Sequence, residues 1–317
     1  MAGKRGFRYN PQTQDLELYV DGTKVTSWNA SSTQGKTYYV NNITGSAAAT
    51  GLSWSEAFDQ LSTAVTASEA HRSAQTTNNT YIRNTIIIQG TGTTYTYISS
   101  MPSYCDVVGL GAPPFGDGTG IVVLGDASGA ADGMAGSTRG STWYNMQFVG
   151  AGSYYGVDLA VAYRSMFDTC AFGGNAASAA CAIAFNVVSA SGLVLRDCKT
   201  IAHAAFPVIG YAMSTAGGNW NECLMERCYA NASTTGYTNV GYLQNGSVVR
   251  DCLFYGGTTG LSDTSAQTSN NALAFYWGNL GSGGTTGITV TNGAERRCMN
   301  NYSVSDATSA LYYALGA

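Results

Sequence analysis

Charge, histidine and proline are what this chain has least of. Of 317 residues only 11% are charged, 15 Lys and Arg against 19 Asp and Glu, and there are two histidines and five prolines. So thin a basic content argues against a nucleic-acid partner, which is met by a dense cationic face. No apolar run approaches the ~18 residues of a membrane-spanning helix, so no membrane partner is expected. The opening "MAGKRGFRYN" is basic with no apolar segment behind it and does not read as a signal peptide. The expectation that follows is a reducing cytosol, where the eight cysteines stay thiols.

Two histidines leave little material for Ser-His-Asp or Cys-His chemistry. His203 sits in the apolar "TIAHAAFPVIG", the setting of a satisfied, half-buried ring, and His71 ends a helical segment. C-x2-C and H-x3-H spacings are absent, as is a G-x4-G-K phosphate loop, so neither metal nor cofactor is expected. What the chain does have is 40 Gly, 21 Tyr, 10 Phe and 5 Trp among many Ser, Thr, Asn and Ala. Strands joined by tight turns use residues in this way.

The segment from Phe7 to Trp28 reads as a β-hairpin: Leu16, Leu18 and Val20 alternate with polar residues, and Asp21-Gly22 supplies the turn before "TKVTSW". A polar stretch, Asn29 to Lys36, reads as a linker. One helix follows, with Ser53 and Glu56 in capping-box spacing and Trp54, Phe58, Leu61 and Val65 on one stripe. His71 and Arg72 stand near its end, where positive charge suits the helix dipole. Beyond Tyr81 come short apolar runs closed by glycine, "TIIIQG", "DVVGLG" and "IVVLGD", which suit buried parallel strands.

A loose repeat then sets in. Cys170, Cys198, Cys228, Cys252 and Cys298 are spaced by 28, 30, 24 and 46 residues, and Met146 and Phe275 fill the slots that complete the series. Three residues before the cysteine stand Phe167, Leu195, Met225 and Val249, with Glu295 the departure. The two positions between are mostly charged: Arg196-Asp197, Glu226-Arg227, Arg250-Asp251 and Arg296-Arg297. Apolar, two charges, then a small apolar residue is a chain turning a corner with two residues in solvent. Steps of this length mark a solenoid, and about nine turns would make a rod roughly 40–45 Å long. Met146 and Phe275 standing in for cysteine argue that the slot selects for volume rather than thiol chemistry.

From "YYVNNITGSAAATGLSWSEAFDQLSTAVTAS" (Tyr38–Ser68) through "TIIIQG", "YCDVVGLG" and the Cys-centred turns, the sequence resembles the pectate-lyase-like right-handed parallel β-helix family, especially the spikes and decorations of bacteriophage virions. The hairpin "FRYNPQTQDLELYVDGTKV" resembles the N-terminal attachment elements of phage structural proteins. The resemblance implies an all-β fold: a right-handed parallel β-helix with an N-terminal hairpin and one capping α-helix. Residues 1–36 would be hairpin and linker, 37–80 a capping strand and helix, 81–302 the β-helix, and 303–317 a C-terminal cap or oligomer contact.

It also implies a virion protein assembled in the host cytoplasm, a capsid decoration or head-fibre protein. Such a protein would dock on the major capsid or another virion protein through Lys4, Arg5, Phe7, Arg8, Leu18 and Val20. Homotrimers are expected on the same ground. The alternative is a tailspike that binds or depolymerises a host-surface glycan, a polysaccharide lyase or glycoside hydrolase. The polygalacturonase strings Asn-Thr-Asp, Asp-Asp, Gly-His-Gly and Arg-Ile-Lys do not occur, so no enzymatic activity is expected. A pair of carboxylates from separate turns is the remaining route to one. Asp168, Asp197, Glu226 and Asp251 fall on one corner, interleaved with Arg196, Arg227 and Arg250, a pattern that reads as stacked ion pairs. Trp220 and Glu222, in an insertion near His203, are the candidate glycan contacts.

Overall fold

A computed structural model describes the backbone of Arg5–Asn10, Asp15–Val20 and Thr23–Trp28, and of residues 35–314 except 75–81, 116–119, 127–129, 175–180, 202–204, 214–217, 245, 265–273, 291–295 and 306–310. Side chains are described from residue 35 onward, outside those stretches and outside 242–244, 274, 296–297 and 311–314.

Asp21-Gly22 does separate two antiparallel strands, Asp15–Val20 and Thr23–Trp28, and a third, Arg5–Asn10, completes a small meander. Phe7 stands opposite Leu18 and Arg5 opposite Val20. These three strands form a sheet of their own.

The rest is a right-handed parallel β-helix. Its first face stacks ten strands in parallel register, from Thr37–Val40 to Arg296–Met299. A second face also holds ten, and a third completes about seven turns. The coil therefore begins at Thr37, ahead of the expected boundary at 81. The final strand, Leu311–Ala314, turns back antiparallel on Asn301–Ser305 and covers the last second-face strand with the chain itself.

The helix is shorter than the sequence stripe implies. Trp54–Glu56 is a separate 3-10 turn, and the α-helix runs Leu61–Ser73. Ser53 makes no capping bond; Glu56 instead accepts from the Thr50 hydroxyl at 2.7 Å. The capping-box spacing thus marks a loop. Phe58 bridges to Val40 in extended conformation, which takes the stripe's first half out of the helix. Leu61, Ala64, Val65 and Ser68 are buried against the first turns, where the amide of buried Asn84 donates to Ser68 O and Oγ at 3.0 and 2.9 Å.

The interior is a column of large side chains set by register. On the first face Tyr38, Ile86, Val107, Trp143, Phe167, Leu195, Met225, Val249 and Tyr276 stack and are buried. Trp143 and Phe167 are parallel at 6.1 Å, and Phe148 and Phe172 at 5.8 Å. Where the second face turns into the third, the backbone passes too close for side chains. A Cβ on Gly260 would lie 2.4 Å from Ser282 N and 2.6 Å from Gly287 O, so only glycine fits without a shift.

The cysteine repeat needs one correction. Val249 pairs with Tyr276, and Tyr276 with Cys298, so Cys298 belongs to the apolar column three places earlier. Phe275 pairs with Val248 and lies on the outer face. The slot after Cys252 is filled by Asn279 and then Asn301, both buried. The ladder reads Met146, Cys170, Cys198, Cys228, Cys252, Asn279, Asn301.

Each ladder residue follows one in left-handed conformation: Asn145, Thr169, Asp197, Arg227, Asp251, Gly278 and Asn300, with φ between +51° and +66°. That residue swings the chain round the corner, and the next side chain closes the gap left in the backbone bonding. Cys198 Sγ donates to Phe167 O at 3.4 Å, and Asn279 Nδ2 to Val249 O at 2.9 Å. Met146 fills the slot by volume, but Cys170, Cys198, Cys252, Asn279 and Asn301 each bond a carbonyl of the preceding turn, so volume alone does not describe the position. Cys223 belongs to an equivalent ladder at the other corner, with Ser141, Ser165, Leu193 and Ser247.

Candidate functional site

All eight cysteines are free thiols. Burial pushes the Cys170, Cys198 and Cys228 thiols well above their ordinary range, and those of Cys105, Cys181 and Cys223 up to about 12. A thiol that holds its proton is a poor nucleophile, which matches a structural role. Among the described residues no group of three or more His, Cys, Asp or Glu could hold a metal ion.

The charged corner is brought together as the repeat implies. Each strand of the first face is short, with its middle side chain inside and its ends outside. The carboxyl-side ends line up as Asp168, Arg196, Glu226 and Arg250, and the left-handed positions as Asp197, Arg227 and Asp251. Charge alternates along both columns, and Asp168, Asp197 and Glu226 each meet an arginine one turn away, whereas Asp251 makes no such ion pair among the described residues. Arg196 donates to Asp168 through Nε and Nη2. Arg227 grips Asp197 with Nε and Nη2, both at 2.8 Å. Glu226 Oε2 accepts from Arg250 Nη2 at 2.5 Å and Nε at 3.1 Å, with Arg227 Nη1 at 3.4 Å.

The Arg227 fork holds the Asp197 carboxyl below its usual range. A lowered folded-state pKa means that the pair's contribution is full above about pH 4 and is lost only as pH falls further. The Glu226 side chain is 8% exposed and takes two guanidiniums, so it is the keystone of the ridge. Glu226→Gln should cost about 1–2 kcal/mol in urea unfolding at low salt, and less than half of that in 1 M NaCl, because the arginines are half-exposed and screened. An equal loss at both salt concentrations would show that the ridge acts through packing and not charge.

Beside the ridge runs an apolar stripe on the same outer face, Met166, Val194, Leu224, Val248 and Phe275, in register on successive turns. Towards the C-terminal end the charged column gives way to Trp277 and Met299, which are 50% and 55% exposed. There Leu224, Val248, Arg250, Phe275, Trp277 and Met299 line a groove of about 400 Å³.

Of the residues expected to contact a glycan, Trp220 is fully buried and part of the core. It stands in register with Ala190, on a third-face strand, and points inward, so its ring cannot stack on a sugar. Glu222 is exposed, in the left-handed conformation that turns the chain from third face to first. His203 lies outside the described residues, as does Lys4; the side chains of Arg5, Phe7, Arg8, Leu18 and Val20 are likewise not described. Trp277 is the residue that sequence reasoning missed. Its signal was its place two residues before the ladder slot, where neighbouring turns carry a charge, and this became visible only once the ladder was set on Asn279.

Fold and surface together define a parallel β-helix protein with a charge-paired ridge and an apolar groove. Compared with protein-family models, with curated proteins and with solved structures, the chain matches none.

Proposed function

We propose that the chain is a structural protein of a bacteriophage virion of the pectate-lyase-like type, a capsid decoration or head-surface protein that displays its β-helix outward. The observation that supports this reading is the ridge: Asp168, Asp197 and Glu226, three of its four carboxylates, are each held by an arginine of the next turn, which leaves Asp251 without a second free carboxylate on the ridge. A glycosidase pair needs two carboxyl groups free to exchange protons, about 5–10 Å apart. The separate N-terminal sheet supports attachment to the major capsid or another virion protein, and a homotrimer is the assembly the reading includes. Deleting residues 1–28 should abolish incorporation into particles while the remaining chain keeps its circular dichroism and melting temperature; unchanged incorporation would refute attachment through this sheet.

A second reading, a tailspike-like protein that binds a host-surface glycan without cleaving it, is favoured by the groove. An exposed indole beside a guanidinium, on an apolar floor, is the chemistry on which sugar rings stack.

A further inference from the structure

Seven arginines of the coil have described side chains, and five of them hold a carboxylate: Arg72 with Glu69, Arg83 with Asp106, Arg196 with Asp168, Arg227 with Asp197 and Arg250 with Glu226. Arg139 and Arg164 have no such partner among the described residues, and both are exposed. They are also neighbours. Arg139 and Tyr163 stand in register on adjacent turns, and Arg164 follows Tyr163 in the chain. The two guanidinium carbons lie 5.1 and 5.2 Å from the centre of the same Tyr163 ring, which bounds their separation at about 10 Å.

The arrangement is built rather than incidental. Arg139 also reaches the Tyr104 ring, at 6.0 Å, and Arg72 reaches that ring from its own side at 6.0 Å, giving a ladder of arginines and tyrosines up one corner of the coil. Rings that hold a guanidinium reduce the freedom it would lose on binding a ligand. Of the carboxylates beside this corner, Glu69 accepts from Arg72 and from Ser103 N, and Asp106 from Arg83, while Glu222 stands in the same left-handed column as Arg164, two turns on, with Gly192 between them. Arg83 Nη1 donates to Gly140 O at 2.7 Å, which brings a further guanidinium alongside. The corner carries four arginines, Arg72, Arg83, Arg139 and Arg164, against three carboxylates, Glu69, Asp106 and Glu222, in a chain whose net charge is −4.

We propose that Arg139 and Arg164 form a binding site for a phosphate-class oxyanion, a phosphate monoester or a diphosphate. A guanidinium presents a planar fork that bonds two oxygens at once. A carboxylate carries one charge and occupies one fork. A phosphate monoester or diphosphate carries more charge and enough oxygens to take a fork from each arginine. The proposal is independent of where the protein resides.

Isothermal titration with inorganic pyrophosphate at low ionic strength tests it, with sodium acetate at matched ionic strength as the control. The expected result is saturable pyrophosphate binding, weakened at least about tenfold by Arg139→Gln and by Arg164→Gln and changed less than about twofold by Arg227→Gln, whose guanidinium is committed to Asp197. Melting temperatures close to wild type would confirm that the variants fold. Comparing glucose 6-phosphate with inorganic phosphate distinguishes the sources. Equal affinities indicate a phosphate carried on a larger molecule, exclusion of the sugar phosphate indicates the free anion, and either supports the site. Absence of pyrophosphate binding, equal competition by acetate, or binding that survives the double variant would overturn it. So would a short single-stranded oligonucleotide that binds more tightly per phosphate than pyrophosphate, which would make this corner a nucleic-acid contact.

Discussion

Trp220→Ala should cost about 3–5 kcal/mol of stability, among the largest losses expected from a single truncation in the coil. The indole is fully buried, and its backbone is tied into the next turn by the Ser247 hydroxyl, which donates to Trp220 O at 2.9 Å. Alanine would leave a cavity in a stack whose turns above and below are fixed by parallel hydrogen bonds, so little collapse can relieve it. The indole N–H, however, is buried with no acceptor. Trp220→Phe removes that orphan donor together with part of the volume, so its cost should be smaller, about 1–2 kcal/mol. Trp277→Ala provides the contrast: half its surface is in solvent, and its loss should change stability by less than about 1 kcal/mol. On the reading in which the groove binds a glycan, the same substitution abolishes that binding. Urea unfolding of the three variants decides the matter. A Trp220→Ala midpoint equal to wild type would mean that the ring is not part of the core.

The contrast between the two tryptophans shows what the sequence made legible. Short strands, glycine-closed turns and a repeat of twenty to thirty residues pointed to a coil, because a solenoid writes its period into the chain. The ion-paired ridge was legible for the same reason: opposite charges at one repeat position must stack. Three features were not. Ser53 and Glu56 match a capping box, but Phe58 is drawn into a bridge with Val40, and tertiary pairing overrides local spacing. Trp220 falls in the longest step of the repeat, where sequence distance from a cysteine no longer tells inside from outside. The ladder itself was misaligned, by four residues at Phe275 and three at Cys298, because cysteine was followed as a letter. Its task at the corner is to bond the backbone of the preceding turn, accepting from the N–H that follows the left-handed residue and donating to a strand carbonyl, and asparagine performs that task as well.

That reading of the ladder gives the second large effect, at Asn279. Its Oδ1 accepts from Cys252 N at 3.0 Å, and its Nδ2 donates to Val249 O at 2.9 Å and to Asn301 Oδ1 at 3.0 Å. Asn279→Ala would leave the Cys252 N–H without a partner and remove one bond from the Val249 carbonyl in a fully buried place, at about 2–3 kcal/mol. Asn279→Cys should be milder, about 1 kcal/mol, because earlier turns show a thiol filling both roles weakly. Cys198 Sγ donates to Phe167 O at 3.4 Å, and Cys252 Sγ accepts from Cys228 N at 3.4 Å. Asn279→Leu should be at least as costly as alanine, since it adds bulk to an unmet donor. Equilibrium unfolding of the three variants orders them as Cys, then Ala, then Leu in increasing loss. Equal losses for Cys and Ala would mean that the slot is read by size alone and that the hydrogen bonds at this corner carry no net stability.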